Sequence, residues 1–252
     1  EAIHAGLQSL MMIAMQSGSE LCNILGESAL AAECEQMYEK MKAAAPTVCN
    51  TYFNSGKATT APGNKQGASL LTLAGLMDAK EANDKVIAVD GFSTFYGYYM
   101  LQAMAKAGNY EGAMQIIRDY WGAMLDLGAT SFWEDFDLDW LDNAARIDEL
   151  VPEGKVDIHR DKGAYCYVGY RHSFCHGWAS GPTAWLSEHV LGVEVLEPGC
   201  KKVRITPHLG DLEWAEGTFP TPYGVIEIAH RKSADGKIVS KIKAPKGVKV
   251  VK

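Results

Sequence analysis

This sequence lacks long apolar runs, closely paired cysteines and an excess of positive charge. No run approaches the roughly 18 to 20 apolar residues that a membrane-crossing helix requires, so no membrane span is expected. None of the six cysteines (22, 34, 49, 166, 175 and 200) forms a C-x-x-C pair, and a chain of 252 residues can bury a core without a disulfide framework. Cys22 and Cys34 fall in helical apolar patterns and read as buried free thiols. Residues 1 to 25 have neither the basic start nor the apolar block of a secretion signal, and the first residue is Glu1. The chain therefore reads as processed or excised, and its compartment, periplasmic or cytoplasmic, stays open. With a formal charge of −7 there is no broad basic face to neutralise phosphates, so nucleic acid is not an expected partner.

What is present is unevenly distributed. From Lys201 onward there are 11 Lys and Arg against 5 Asp and Glu, leaving 13 against 26 in the first 200 residues: a body of −13 and a tail of +6. All ten Met lie at or before Met124, five of nine Pro at or after Pro198, and five of six Trp between Trp121 and Trp185. The body is helical in pattern. Leu7, Leu10, Met11, Ala14, Met15, Leu21, Cys22 and Leu25 recur at helical spacing before Gly26, and a second helix over 28–43 is expected to stop before Pro46. A loop over 48–66 and two shorter helices, Ser69 to Met77 and Ala79 to Ala88, follow. Ser93 or Thr94 can cap a helix to Ala107, and Asn109 one from Tyr110 to about Leu127. Gly181-Pro182 opens a last helix that ends before Gly192. About seven helices in hairpins are implied. Beyond Gly199 the period becomes two: 203–206, 225–230 and 237–243 read as strands, with Asp235-Gly236 as a tight turn and Val248 to Val251 as one more. The boundary is placed at 196/197, giving a helical domain over 1–196 and a β module over 197–252 whose lysines suit solvent faces and sheet edges.

Two stretches carry chemistry. Asp126 to Asp161 holds eleven acidic residues against three basic ones, with Trp133 and Trp140 among them. Within it Glu134 follows Trp133 and lies near Phe132 and Phe136. Aromatic walls partly desolvate a carboxylate and raise its pKa toward the range useful in proton transfer. Tryptophan faces pack on the C–H faces of sugars while carboxylates bond hydroxyls, so a carbohydrate pocket is one reading; a solvated acidic loop with structural tryptophans is the other. A calcium loop from Asp135 fails, because Trp140 stands where Gly is needed and Arg146 where Glu is needed. An Asp-Asp-x-x-Asp diphosphate motif fails at Leu138. The second stretch, Tyr165 to Pro182, gathers Tyr165, Tyr167, Tyr170, Arg171, His172, His176 and Trp178 before a helix start. It suits either hydroxyl binding or a buried aromatic cluster. Gly177-Trp-Ala-Ser-Gly lacks the order of a nucleophile elbow, and His172, Cys175 and His176 lack a fourth zinc ligand at usual spacing.

The runs Arg118-Asp-Tyr-Trp-Gly-Ala-Met-Leu-Asp-Leu-Gly-Ala-Thr-Ser-Phe-Trp-Glu-Asp-Phe-Asp and Ser173-Phe-Cys-His-Gly-Trp-Ala-Ser-Gly-Pro-Thr-Ala-Trp-Leu resemble those of bacterial α-L-rhamnosidases. So does Val203-Arg-Ile-Thr-Pro-His-Leu-Gly-Asp-Leu-Glu-Trp-Ala-Glu-Gly-Thr-Phe-Pro-Thr-Pro-Tyr-Gly. The resemblance implies a mainly α fold: part of an (α/α)6 toroid of helical hairpins, followed by a C-terminal antiparallel β-sandwich module. It implies hydrolysis of terminal α-L-rhamnosyl residues of glycans or glycosides with inversion, without metal or organic cofactor. The family's general base, the Glu of Thr-x-x-Trp-Glu, carries over to Glu134, its sugar-contacting His to His176, and its Trp to Trp133 as a pocket wall. Asp137 and Trp178 are added from proximity in sequence.

The family's general acid belongs to an upstream Asp- and Arg-rich Gly-Trp motif that this chain does not contain. The chain thus reads as the C-terminal part of a longer enzyme, inactive alone, with helix faces to be covered by the missing N-terminal half or by self-association. Two alternatives remain open: a non-catalytic carbohydrate-binding or assembly part, and a helical-toroid enzyme acting on another sugar, such as a lyase using Tyr165, Tyr167 or Tyr170.

Overall fold

The structure is a computed structural model that describes residues 2–54, 62–87, 92–158 and 173–251. Two compact units divide the chain, Glu1–Ser180 and Gly181–Lys252. The seam lies upstream of the change in periodicity, because the last helix packs with the strands that follow it.

The first unit is built from helical hairpins. Helices α1 (Ala2–Leu25) and α2 (Ser28–Asn54) turn back through Gly26, whose φ of +81° allows the Gly26 and Glu27 amides to close on the Asn23 and Cys22 carbonyls. They run antiparallel, with Gln8 Nε2 donating to the Met41 carbonyl at 2.8 Å and Ser19 Oγ to Glu35 Oε1 at 2.9 Å. Pro46 does not end α2, as the sequence suggested, but lies inside it. An interior proline sacrifices one backbone hydrogen bond, at about 3 kcal/mol; the helix nonetheless continues to Asn54, and its earlier turns pack along α1. Cys22 and Cys34 are free and half-buried, not fully buried as expected.

Helix α3 (Pro62–Leu73) packs against α1 and α5 (Gly97–Lys106), and its last carbonyls receive side-chain donors: Tyr38 Oη reaches the Ala74 carbonyl and Lys106 Nζ that of Thr72. Between them, α4 (Ala79–Ala82) continues into a wide turn over Asn83–Ile87. Asn109 caps α6 (Tyr110–Ile116) through the Gly112 amide. A wide, π-type turn over Ile117–Trp121 then passes into α7 (Gly122–Asp126). That bulge turns out to hold the site.

In the second unit, α8 (Gly181–Trp185) and the wide turn Leu186–Val190 precede six strands. These are β1 (Val193–Val195), β2 (Lys202–Ile205), β3 (Trp214–Thr221), β4 (Gly224–Lys232), β5 (Ile238–Lys243) and β6 (Lys249–Val251). They form two three-stranded sheets, β1-β2-β6 and β3-β4-β5, whose inner faces share a core of Val193, Val203, Ile205, Ile226 and Ile228. The pairing is antiparallel except for β2 with β6, which is parallel, since the chain returns to β2 only after crossing the other sheet. Strand β3 escaped the sequence reading because it contains Gly217 and Pro220; it lies at a sheet edge, where proline is tolerated.

Candidate active site

Two chain segments run side by side in the first unit. The Glu134 amide donates to the Ser173 carbonyl and the His176 amide to the Phe132 carbonyl, both at 2.8 Å, and Ser131 Oγ bonds the Phe174 carbonyl. Neither segment is regular secondary structure at these residues, so each must be fixed by bonds to something stiffer.

The stiff element is the bulged turn between α6 and α7. Tyr120 Oη donates to the Phe136 carbonyl at 2.6 Å, and its neighbour Trp121 donates from Nε1 to the Ala179 carbonyl at 2.9 Å. Adjacent residues thus anchor the two segments. Burial raises the Tyr120 hydroxyl far above its ordinary range, with the Asp135 and Asp137 charges adding to the shift, so it remains a donor. α5 comes close enough to hold the Trp121 ring only because residue 97 is glycine: a Cβ there would lie 2.7 Å from Trp121 Cη2.

Glu134 is the meeting point. Its Oε2 accepts the Ser173 amide at 2.8 Å and lies 4.0 Å from His176 Nδ1. Its main-chain carbonyl accepts Trp178 Nε1 at 2.7 Å and the hydroxyl of Thr94. The His176 ring packs on that of Trp178, with centroids 4.1 Å apart. Solvent reaches these groups: the Glu134 and His176 side chains are 19% and 32% exposed, and Trp178 is 45% exposed. A carboxylate, an imidazole and an indole face therefore share one open surface.

The other expected residues are placed differently. Trp133 has 0% exposure; its ring lies behind the segment against Phe136 and Phe174, so it is a buried wall without a face of its own to offer a ligand. Asp137 is exposed and accepts the Asp139 amide, capping the short turn Leu138–Asp142. Tyr165, Cys166, Tyr167, Tyr170, Arg171 and His172 lie outside the described residues. Among the described residues no three His, Cys, Asp or Glu converge as metal ligands, and no helix is long and apolar enough to cross a membrane.

Thr94 and Phe95 were not foreseen in these positions. Neither Ser93 nor Thr94 caps α5, whose cap residue Tyr96 has no side-chain cap bond: the Ser93 hydroxyl accepts the Tyr96 amide in the turn before the helix, and the Thr94 hydroxyl goes to the Glu134 carbonyl. The available signal was the aromatic density of Phe95-Tyr-Gly-Tyr-Tyr beside a candidate cap.

Residues 192–251 match the family model described as the bacterial alpha-L-rhamnosidase C-terminal domain. A curated alpha-L-rhamnosidase of Alteromonas sp. (strain LOR) is 30% identical over 122 residues, 48% of this chain and 11% of that protein. The chain resembles the C-terminal part of α-L-rhamnosidases. Among solved structures, a rhamnosidase of Bacillus sp. GL1 aligns over 95% of this chain and 25% of its own at a TM-score of 0.71 and 21% identity. The Streptomyces avermitilis alpha-L-rhamnosidase, solved with L-rhamnose, aligns over 96% and 22% at 0.70 and 18% identity. The Aspergillus terreus enzyme aligns over 95% and 27% at 0.69 and 17% identity. These likenesses carry the fold: mainly α, part of the rhamnosidase helical toroid followed by a C-terminal β domain. The chain spans about a tenth of the curated rhamnosidase and about a quarter of the solved ones.

Proposed function

We propose that this chain supplies the general-base side of an inverting α-L-rhamnoside hydrolase. The observation that carries the reading is the setting of Glu134. One carboxylate oxygen is oriented by the Ser173 amide, with His176 4.0 Å away and Trp178 against it on an open surface. In an inverting glycosidase the base removes a proton from a water molecule as that water attacks the anomeric carbon. An acid on the opposite side protonates the departing oxygen, and the two carboxyls stand about 6.5 to 9.5 Å apart so that the water fits between them. Glu134 takes the first role. The acid comes from outside this chain.

His176 and Trp178 hold the sugar, the imidazole bonding a hydroxyl and the indole facing C–H groups. Trp133 fixes the segment from behind, and Asp137 secures the turn that follows. The substrate is a rhamnose-containing glycan or glycoside. The exposed Leu7, Met11, Leu21, Leu25, Leu30 and Met37 on α1 and α2 mark an apolar surface that the preceding part of a longer polypeptide, or a second copy, covers.

The test is Glu134→Gln in the longer polypeptide that contains this chain. Turnover of an aryl α-L-rhamnoside is expected to fall by about a thousandfold or more, with rhamnose affinity changed little. Proton NMR of the first product is expected to show the β-anomer. Retained turnover, or an α-anomer formed first, rejects the assignment.

A further inference from the structure

Phe95 lies immediately after the Thr94 that bonds Glu134, and its ring meets that of Trp178 at a centroid distance of 5.6 Å and an angle of 58°. Both rings are open to solvent, Phe95 at 38%. They form a V-shaped corner continuous, through Trp178 and His176, with the Glu134 carboxylate. Tyr96 and Tyr99 also meet the Phe95 ring edge-on, with centroids 4.9 and 6.0 Å away, so the ring is packed among its neighbours.

The corner's chemistry is set by what its rings cannot do. Phenylalanine has no donor or acceptor, and the single donor of Trp178 is already used on the Glu134 carbonyl at 2.7 Å. A ligand hydroxyl placed between these rings would exchange water for two apolar faces and lose its hydrogen bonds. A methyl group there would lose nothing and bury its surface.

We infer that Phe95 is a specificity-determining residue, and that with Trp178 it forms a donor-free corner that takes the C5-methyl group of a 6-deoxyhexose beside Glu134. This rests on the rhamnoside reading above and adds the feature by which the site tells a 6-deoxy sugar from its 6-hydroxy counterpart. An apolar wall rejects an added hydroxyl by about a hundredfold at most, so the preference for L-rhamnose over L-mannose is about ten- to a hundredfold.

The experiment compares L-rhamnose with L-mannose on the longer polypeptide, by calorimetric binding of the free sugars and by turnover of their p-nitrophenyl α-glycosides. Phe95→Asn is expected to narrow both ratios about tenfold, whereas Phe95→Leu, which keeps the corner apolar, holds them within about threefold. Should the Asn variant not fold, Phe95→Tyr, which adds one hydroxyl, is expected to narrow the ratios as well. Ratios unmoved by a folded polar variant, or equal binding of the two sugars by the unaltered protein, overturn the proposal. Cleavage with no discrimination sinks this inference and leaves the hydrolase reading standing. Phe95-dependent selective binding without cleavage sustains this inference and removes the hydrolase reading.

Discussion

Ser173 and Glu134, 39 residues apart in sequence, exchange two hydrogen bonds: the Glu134 amide donates to the Ser173 carbonyl, and the Ser173 amide returns one to Glu134 Oε2, both at 2.8 Å. The first bond fixes the backbone and the second aims the side chain. A carboxylate held this way has little orientational freedom left to lose, which is what the proposed base role calls for.

Thr94 is the second device that sets Glu134. Its hydroxyl and the Trp178 indole converge on one carbonyl, so Thr94→Val leaves that carbonyl with a weaker grip on the segment. In the longer polypeptide kcat is expected to fall about tenfold with KM nearly unchanged, and Thr94→Ser is expected to restore most of it. Equal losses for Val and Ser would show that Thr94 matters only as packing.

Gly97→Ala places a methyl 2.7 Å from the Trp121 ring, whose N–H anchors the Ala179 carbonyl. Overpacking at such a site destabilises by about 1 to 3 kcal/mol, more than the helix-propensity gain of up to about 1 kcal/mol returns. Urea unfolding is expected to show a lower midpoint at unchanged slope. A variant as stable as the parent would mean that Trp121 can shift without loss.

Acid acts on the second unit through its histidines. Burial, then the nearby His208, lowers His189 to about 4, and burial lowers His208 in the same direction. Glu188 lies 4.0 Å from His189 and does not reverse this. With the folded pKa below the unfolded value of about 6.5, the unfolded chain binds more protons between those values. Stability is therefore full above about pH 6.5 and declines as pH falls toward 4. His189→Gln is expected to flatten that slope in thermal melts, and an unchanged slope would remove His189 as its source.

In the proposed mechanism, residues 1–252 on their own supply a base but not the acid. Purified and shown folded by circular dichroism, they are expected to release no p-nitrophenol from the aryl rhamnoside, while the longer polypeptide does. Measurable cleavage by the isolated chain would overturn the division of the site.

Helix spacing, the caps at Asn109 and Gly108, and the switch to period two beyond Gly199 are local signals, and the order of helices then strands was legible from them. Pro46 misled because a proline's effect on a helix is a local penalty that tertiary context can override. Strand β3 was hidden because its Gly and Pro are acceptable only at an edge, and edge position is a property of the sheet.

For the site, composition marked the two segments and the resemblance singled out Glu134 and His176. Nothing in their spacing could say that Trp133 turns inward while Trp178 turns out, or that the Thr94 hydroxyl would bond Glu134 and not cap α5. The sequence by itself determined which elements form, because helix periodicity and caps act over a few residues. Only the tertiary structure decided which side chains meet, because the bonds from Tyr120, Trp121, Thr94 and Ser173 join segments that periodicity treats as unrelated.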